Sequence, residues 1–447
     1  MDTPIRDFVR RYGEENTLRL HMPGHKGTGP LGMEKWDITE ISGADSLYEA
    51  NGIIEKSEEN ASRLFGCPTF YSTEGSSQCI RAMLYLAVLQ AKAQGKQPRI
   101  AAGRNVHKTF LSAAALLDLE VDWLYPEEQT AYLSCNLTGQ MLDSCLSQCD
   151  TPPTAVYITS PDYLGNVLDV AQLADVCHRR GVLLLVDNAH GAYLKFLPQS
   201  RHPMDLGADL CCDSAHKTLP VLTGGAYLHI TADFPLLSQA KNALALFGST
   251  SPSYLILQSL DAANPYLTGY PQKLQSFCEK VGQLKNRLTE MGWCQISQEP
   301  LKITLSPKPY GYTGTELADV LRKHGLECEF ADPDFLVLML TPAITRQDLE
   351  HLADLLNALP RRTGILTDPP RIGRPERVLS IREAILSPAE TIPASESKGR
   401  VLAAPSVGCP PAVPILVCGE RIDDDTIGCF AYYGITHCTV VNPVNLL

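Results

Sequence analysis

Two short polar segments of this chain carry the residue types of a catalytic site. Asp187-Asn188-Ala189-His190-Gly191 offers a carboxylate and an imidazole, and Asp213-Ser214-Ala215-His216-Lys217-Thr218 adds hydroxyls, a second imidazole and an amine. Each follows an apolar run, Val182 to Val186 and Leu206 to Cys212. A run that is apolar throughout reads as a strand buried on both faces of a parallel sheet. Open α/β sheets take their ligands beyond the carboxyl ends of such strands. The chemistry that suits this pair is pyridoxal 5'-phosphate (PLP) catalysis. Lys217 is the candidate to form a Schiff base with the aldehyde. Asp187 is the candidate to keep a proton on the pyridine nitrogen, which makes the ring an electron sink. Ser214 and His216 are placed to bind the phosphate.

The elements that must position these residues alternate strand and helix. Phe70-Tyr71 leads into Ser72-Thr73-Glu74-Gly75-Ser76-Ser77-Gln78, and Ile80, Met83, Leu84, Ala87 and Val88 then mark one face of a helix. Such a turn presents free backbone N–H groups and hydroxyls at the positive end of the helix, a setting for phosphate; Ser76 or Ser77 could equally serve only as an N-cap. Pro98 to Gly103 reads as a strand ending in Arg104-Asn105-Val106-His107-Lys108, where an imidazole could lie flat on a pyridine ring. Ala155 to Thr159 reads as another strand, ending in Ser160 to Gly165, and Val170 to Arg180 as an amphipathic helix. Four strand ends thus carry polar loops, the pattern of a mostly parallel doubly wound α/β sheet.

A helix is expected over Ile53 to Phe65, stopped by Gly66, and mostly helical structure from 231 to 290, interrupted at Gly248 to Tyr254. Strand-like runs at Lys302 to Leu305 and Phe335 to Leu340 alternate with helices at Gly314 to His324 and Thr345 to Leu359, a smaller α/β domain. Pro360 to Arg377 reads as a linker, followed by a helix at Ile381 to Leu386 and a strand at Val413 to Val417. The expected organisation is an N-terminal arm (1–45), a large cofactor-binding domain (46–289), a small domain (290–365) and a C-terminal domain (366–447). In the arm, His21, His25 and Lys26 form either a solvated basic loop or an anion contact.

The net charge of −12 argues against nucleic acid as a partner and weakly favours cationic small molecules. Fifteen cysteines without a C-x-x-C pair read as reduced thiols rather than disulfides or a zinc site, hence a cytoplasmic protein with no metal expected. No signal peptide is visible, and no apolar run is long enough for a membrane span.

Taken together, HMPGHKG at 21–27, DITEISGAD at 37–45, Gly75-Ser76-Ser77, RNVHK at 104–108, DNAHGAY at 187–193, SAHKTL at 214–219, TSPSY at 250–254 and the tail CPPAVPILVCGERI resemble the Orn/Lys/Arg decarboxylase family of fold type I PLP enzymes. The chain looks like a compact type, without the N-terminal receiver-like domain. The resemblance implies decarboxylation of a basic L-amino acid, with Lys217 bound to the cofactor, Asp187 at the pyridine nitrogen, His107 stacked on the ring and His190 beside it. It implies Gly75, Ser76, Ser77, Ser214 and His216 around the phosphate. It also implies a homodimer or higher homo-oligomer with shared active sites, and makes the Thr250 to Tyr254 loop a candidate to reach the neighbour's cofactor. Three positions depart from the family's pattern: Asn188, where it has an acid; Glu74, where it has Asn; and Ala412, where it has Gly. The residues alone leave open an aminotransferase, lyase or desulfurase, a non-catalytic relative, or a metal hydrolase built on Asp187, His190 and His216.

Overall fold

A computed structural model describes residues 1–126, 131–371, 373–405 and 411–442. In chain order, α1 (Pro4–Glu14) and α2 (Ile53–Phe65) precede β1 (Thr69–Ser72), α3 (Ser76–Ala93), β2 (Arg99–Gly103), α4 (Lys108–Leu117) and β3 (Glu120–Leu124). Then come α5 (Gly139–Ser147), β4 (Ala155–Thr159), α6 (Val170–Arg179), β5 (Leu183–Asp187), β6 (Leu210–Asp213), α7 (Ala215–Thr218) and β7 (Ala226–Ile230). The seven strands form a sheet in the order β1-β7-β6-β5-β4-β2-β3. β5 and β6 pair in parallel, as do β2 and β3, whereas β7 is antiparallel to both its neighbours, β1 and β6. Non-sequential strand order with intervening helices makes this a doubly wound α/β fold.

Contact density divides the chain into two compact units. The first comprises Met1–Pro98, Thr154–Val156 and Val170–Lys273, and the second Arg99–Pro153, Tyr157–Asp169 and Leu274–Leu447. In the first unit, the apolar residues that sequence assigns to strands are indeed buried: Leu184, Val186, Leu210 and Cys211 are all inaccessible. Two further helices, α8 (Ala240–Ala245) and α9 (Tyr254–Thr268), follow the sheet, and Ser253 caps α9 by accepting the Ile256 N–H.

The second unit continues with α10 (Tyr270–Glu290), most of which it contains, and a four-stranded sheet of β8 (Cys294–Gln295), β9 (Lys302–Ser306), β10 (Phe330–Ala331) and β11 (Leu336–Met339), in the order β10-β11-β9-β8. Helices α11 (Gly314–Lys323), α12 (Arg346–Ala358) and α13 (Ile381–Leu386) each begin in a reciprocal cap, Thr313 with Glu316, Thr345 with Asp348 and Ser380 with Glu383. Such caps satisfy backbone donors that the first helical turn leaves free, which fixes the three starts within a residue or so. A last strand pair, β12 (Ala389–Pro393) with β13 (His437–Val441), flanks α14 (Asp424–Tyr432). A cluster including Tyr132, Leu164, Phe330, Val337, Leu402, Leu416, Phe430 and Val440 forms the core here.

Sequence and structure part at three places. The run Leu206 to Cys212 is not one strand: Pro203–Leu206 make a 3-10 turn and the strand begins only at Leu210. Residues 231 to 236 carry no helix, although the whole stretch was expected to be mostly helical. Val413 to Val417 is buried but irregular, so its apolar character reflects burial in the core and not a strand period.

Candidate active site

All but one of the candidate site residues fall in the first unit. Asp187 ends β5, is 2% exposed, and accepts the Ala189 N–H at 3.2 Å on Oδ1. The Cys212 thiol, paired with it in register on β6, lies 3.6 Å from the same oxygen. A carboxylate so enclosed has little water to solvate it and is set to pair with a cationic group.

Through the next residue, Asn188, the chain joins a buried network that the sequence reading did not foresee. Asp213 is fully buried; its Oδ2 takes the Nε2 atoms of His202 and His229 at 3.1 Å each, and its Oδ1 takes the Asn188 amide at 2.6 Å. Burial disfavours ionisation of Asp213, but the two imidazoles outweigh it and hold the carboxyl well below the usual range. The network accounts for one departure from the family's pattern. An ionised acid in place of Asn188 would face the Asp213 carboxylate, whereas the amide donates to it. Asp213→Ala would strand three buried N–H donors, and a loss of about 3–5 kcal/mol in urea unfolding is expected. A loss below about 1 kcal/mol would contradict the network. Because the native carboxyl is depressed, its contribution is present above the unfolded value of about 3.9 and is lost as pH falls below that. His202 and His229 lie 11 and 16 residues from Asp213 and carry no motif of their own; only the position of Asp213 beside Ser214 hinted at a role.

Lys217 lies on the short helix α7, half-buried, with Nζ 3.0 Å from His190 Nε2. Ser214, just before that helix, donates its hydroxyl to Ser76 Oγ at 2.8 Å. Ser76 opens the 18-residue helix α3, whose N-cap Gly75 provides no side-chain cap. The turn before α3 is fixed by backbone: Gly75 N–H donates to Gly224 O at 2.7 Å. At Gly224, φ is +98° and a Cβ would sit 2.9 Å from Thr73 O, so only glycine permits this approach. His216 places Nδ1 2.9 Å from Gly225 O, which commits the Nδ1 proton to that carbonyl. Burial, and after it the charge of Lys217, lowers the His216 pKa, with the hydrogen bond to the Gly225 carbonyl opposing.

Glu74, another departure, is exposed, and its carboxylate accepts the Ser249 N–H. That contact holds the segment before α9 near the start of α3. Gly248 is packed there so closely that a Cβ would lie 1.9 Å from Tyr48 Oη and 2.1 Å from Gln78 Nε2. In the arm, His21 and His25 have protein partners, Tyr12 at 2.6 Å and Asp37 at 3.2 Å.

His107 belongs to the second unit, where its Nδ1 caps α4 by accepting the Thr109 N–H at 3.2 Å. Its neighbour Arg104 forms a buried ion pair with Glu420 at 2.6 Å, joining the RNVHK and GERI motifs. Lys108 N–H donates to the carbonyl of Ala412, which adopts φ +59°. That left-handed conformation favours the glycine which the family's pattern would place there. Pro410 of the same motif lies outside the described residues.

This fold, with a buried Asp and a lysine on adjacent strand ends and a hydroxyl-lined helix start beside them, is that of the PLP-dependent enzymes of fold type I. The family model for "Orn/Lys/Arg decarboxylase, major domain" matches residues 3–298, and the chain belongs to that family. Arginine decarboxylases of Halalkalibacterium halodurans and Bacillus subtilis are each 27% identical to it, over 95% of this chain and 92% of theirs. Among solved structures, the lysine decarboxylase of Francisella novicida superposes with a TM-score of 0.81 at 17% identity, covering 98% of this chain and 81% of that one.

Proposed function

We propose that the chain decarboxylates a basic L-amino acid, arginine, lysine or ornithine, to the corresponding amine and carbon dioxide with PLP as cofactor. The observation that carries this reading is the first unit's edge itself: Lys217 against His190, the Ser76–Ser214 pair at the start of α3, and buried Asp187. Their chemistry fits the cofactor's three parts. The uncapped α3 N-terminus with Ser76, Ser77, Ser214 and His216 suits a dianionic phosphate. Asp187 suits a protonated pyridine nitrogen. Lys217 suits an aldehyde.

When bound, PLP supplies an electron sink for the pair released as the carboxylate leaves. The residues of the chain do the rest. His190, within hydrogen-bond reach of Lys217 Nζ, accepts a proton from the ammonium and leaves the amine nucleophilic. Asp187 holds its negative charge at a fixed place, and the protein around it excludes water that would weaken that field. His107 is assigned to the face of the pyridine ring by the family resemblance. The assembly is a cytoplasmic homodimer or larger homo-oligomer in this reading; every described cysteine being a free thiol supports a reducing compartment. No described helix is long and apolar enough to cross a membrane.

Incubation of the PLP-loaded protein with arginine, lysine and ornithine, followed by mass spectrometry, tests the reaction. One amine with loss of carbon dioxide is expected. A keto acid would instead assign an aminotransferase, and no turnover of any of the three would refute the reading. Ser76→Ala and Ser214→Ala are each expected to weaken PLP binding by about tenfold, the worth of one charge-assisted hydrogen bond. Equilibrium dialysis of the cofactor reads this directly, and unchanged affinity in both would remove the phosphate from this place.

A further inference from the structure

Within the second unit lies a cavity of about 300 Å³ whose walls include Tyr132, Phe330, Val413, Tyr432 and Tyr433, with Asp332 among the lining residues. Asp332 is only 7% exposed, and its two oxygens differ. Oδ1 accepts the backbone N–H groups of Asp334 and Phe335 at 2.8 and 2.7 Å. Oδ2 is buried and has no hydrogen-bond partner among the described residues. An acceptor in that state costs on the order of 1–3 kcal/mol unless something in the cavity satisfies it.

The neighbouring charges do not. Asp334 is already paired, with Lys308 Nζ at 2.5 Å and the Tyr432 hydroxyl at 2.7 Å from its Oδ1, and the Tyr433 hydroxyl at 3.4 Å from Oδ2. When Asp332 is ionised, two carboxylates and one lysine therefore leave one negative charge, on a residue that lines the cavity together with the three tyrosines. Tyr132 and Tyr433 meet edge to face at 4.9 Å between centroids, and Tyr432 and Tyr433 at 5.0 Å. A carboxylate with aromatic rings around it recognises an organic cation on an aliphatic stem. A hard divalent metal would need several oxygen ligands, and Asp332 Oδ2 is the one buried carboxylate oxygen of the lining without a partner among the described residues.

We propose that this cavity binds an aliphatic ammonium or guanidinium cation, with Asp332 Oδ2 as its counter-ion. The site stands on the geometry, whereas the choice of ligand, the side chain of a basic amino acid or the free amine made from it, rests on the decarboxylation reading. Burial, then the charge of Asp334, pushes the Asp332 pKa up to about 7, with the two backbone N–H groups and Lys308 opposing. Of the other groups facing the cavity, the tyrosines 132, 432 and 433 all titrate above their ordinary value. Cation affinity is therefore expected to rise as pH is raised through about 7 and the competing proton leaves.

The test is calorimetric titration of the PLP-loaded protein with agmatine, cadaverine and putrescine. Wild type is expected to bind at least one of them. Asp332→Asn keeps an acceptor for the two backbone N–H groups but loses the charge, and is expected to bind it about tenfold to a hundredfold more weakly. Thr315→Arg, at an exposed lining position, puts a competing cation at the mouth and should have the same effect; it decides the matter if the Asn variant does not fold. A raised KM for the amino acid in Asp332→Asn, with kcat kept, assigns the site to the substrate's side chain. Unchanged KM with loss of inhibition by added amine assigns it to the free amine. Equal amine affinity in wild type and the folded variants, or no binding by wild type, overturns the proposal. Amine binding through Asp332 in a protein that releases no carbon dioxide would instead refute the decarboxylation reading and leave this site standing.

Discussion

Asp187→Asn is expected to lower kcat by about 10²–10⁴-fold while the protein still folds and still takes up PLP. The variant keeps an oxygen to accept the Ala189 N–H and changes neither size nor burial. What it removes is a negative charge in a site that water does not screen, so the proton on the pyridine nitrogen loses its partner. The cofactor would then hold the electron pair poorly at the moment the carboxylate departs. The effect should therefore fall on kcat and leave cofactor affinity, a role proposed for the paired Ser76 and Ser214 hydroxyls, less changed. Steady-state kinetics with a dialysis measurement of PLP separates the two, and near-wild-type kcat would sink the assignment of Asp187.

Lys217→Ala should be more severe, abolishing both the visible absorbance of the bound cofactor and measurable turnover, a loss of at least about 10³-fold. The amine is half-buried on a four-residue helix, so truncation should leave the fold intact. Lys217→Arg sharpens the test, because a guanidinium keeps the positive charge but does not condense with an aldehyde at neutral pH. If the arginine variant behaved as the alanine one does, charge would be excluded as the contribution of Lys217. Retained turnover in either would assign the chemistry to another lysine.

Sequence gave access to the strand ends because their signal is local. An apolar run such as Val182 to Val186 must be buried, and polar residues immediately after it have only the sheet edge to occupy. The same locality made the capped helices at Thr313, Thr345 and Ser380 readable. The edge strand β3, Glu-Val-Asp-Trp-Leu, escaped notice because its polar positions break the apolar run that marked the others. Val413 to Val417 misled for the opposite reason: apolar residues fill a core whether or not the backbone is extended. The network of Asp213, His202 and His229 could not be read at all, since nothing in the chain announces that a histidine on a turn and another on β7 meet one carboxylate. The same holds for the orphaned oxygen of Asp332, which is a property of packing and not of any motif.

Reduction of the PLP-loaded protein with borohydride, followed by peptide mass spectrometry, tests the central claim most directly. Borohydride fixes the linkage between an amine and the cofactor, so the modified residue can be located without any assumption about substrate or reaction. The account predicts a single modified peptide carrying PLP on Lys217. Modification of a different lysine, or none at all in a protein saturated with the cofactor, would contradict it.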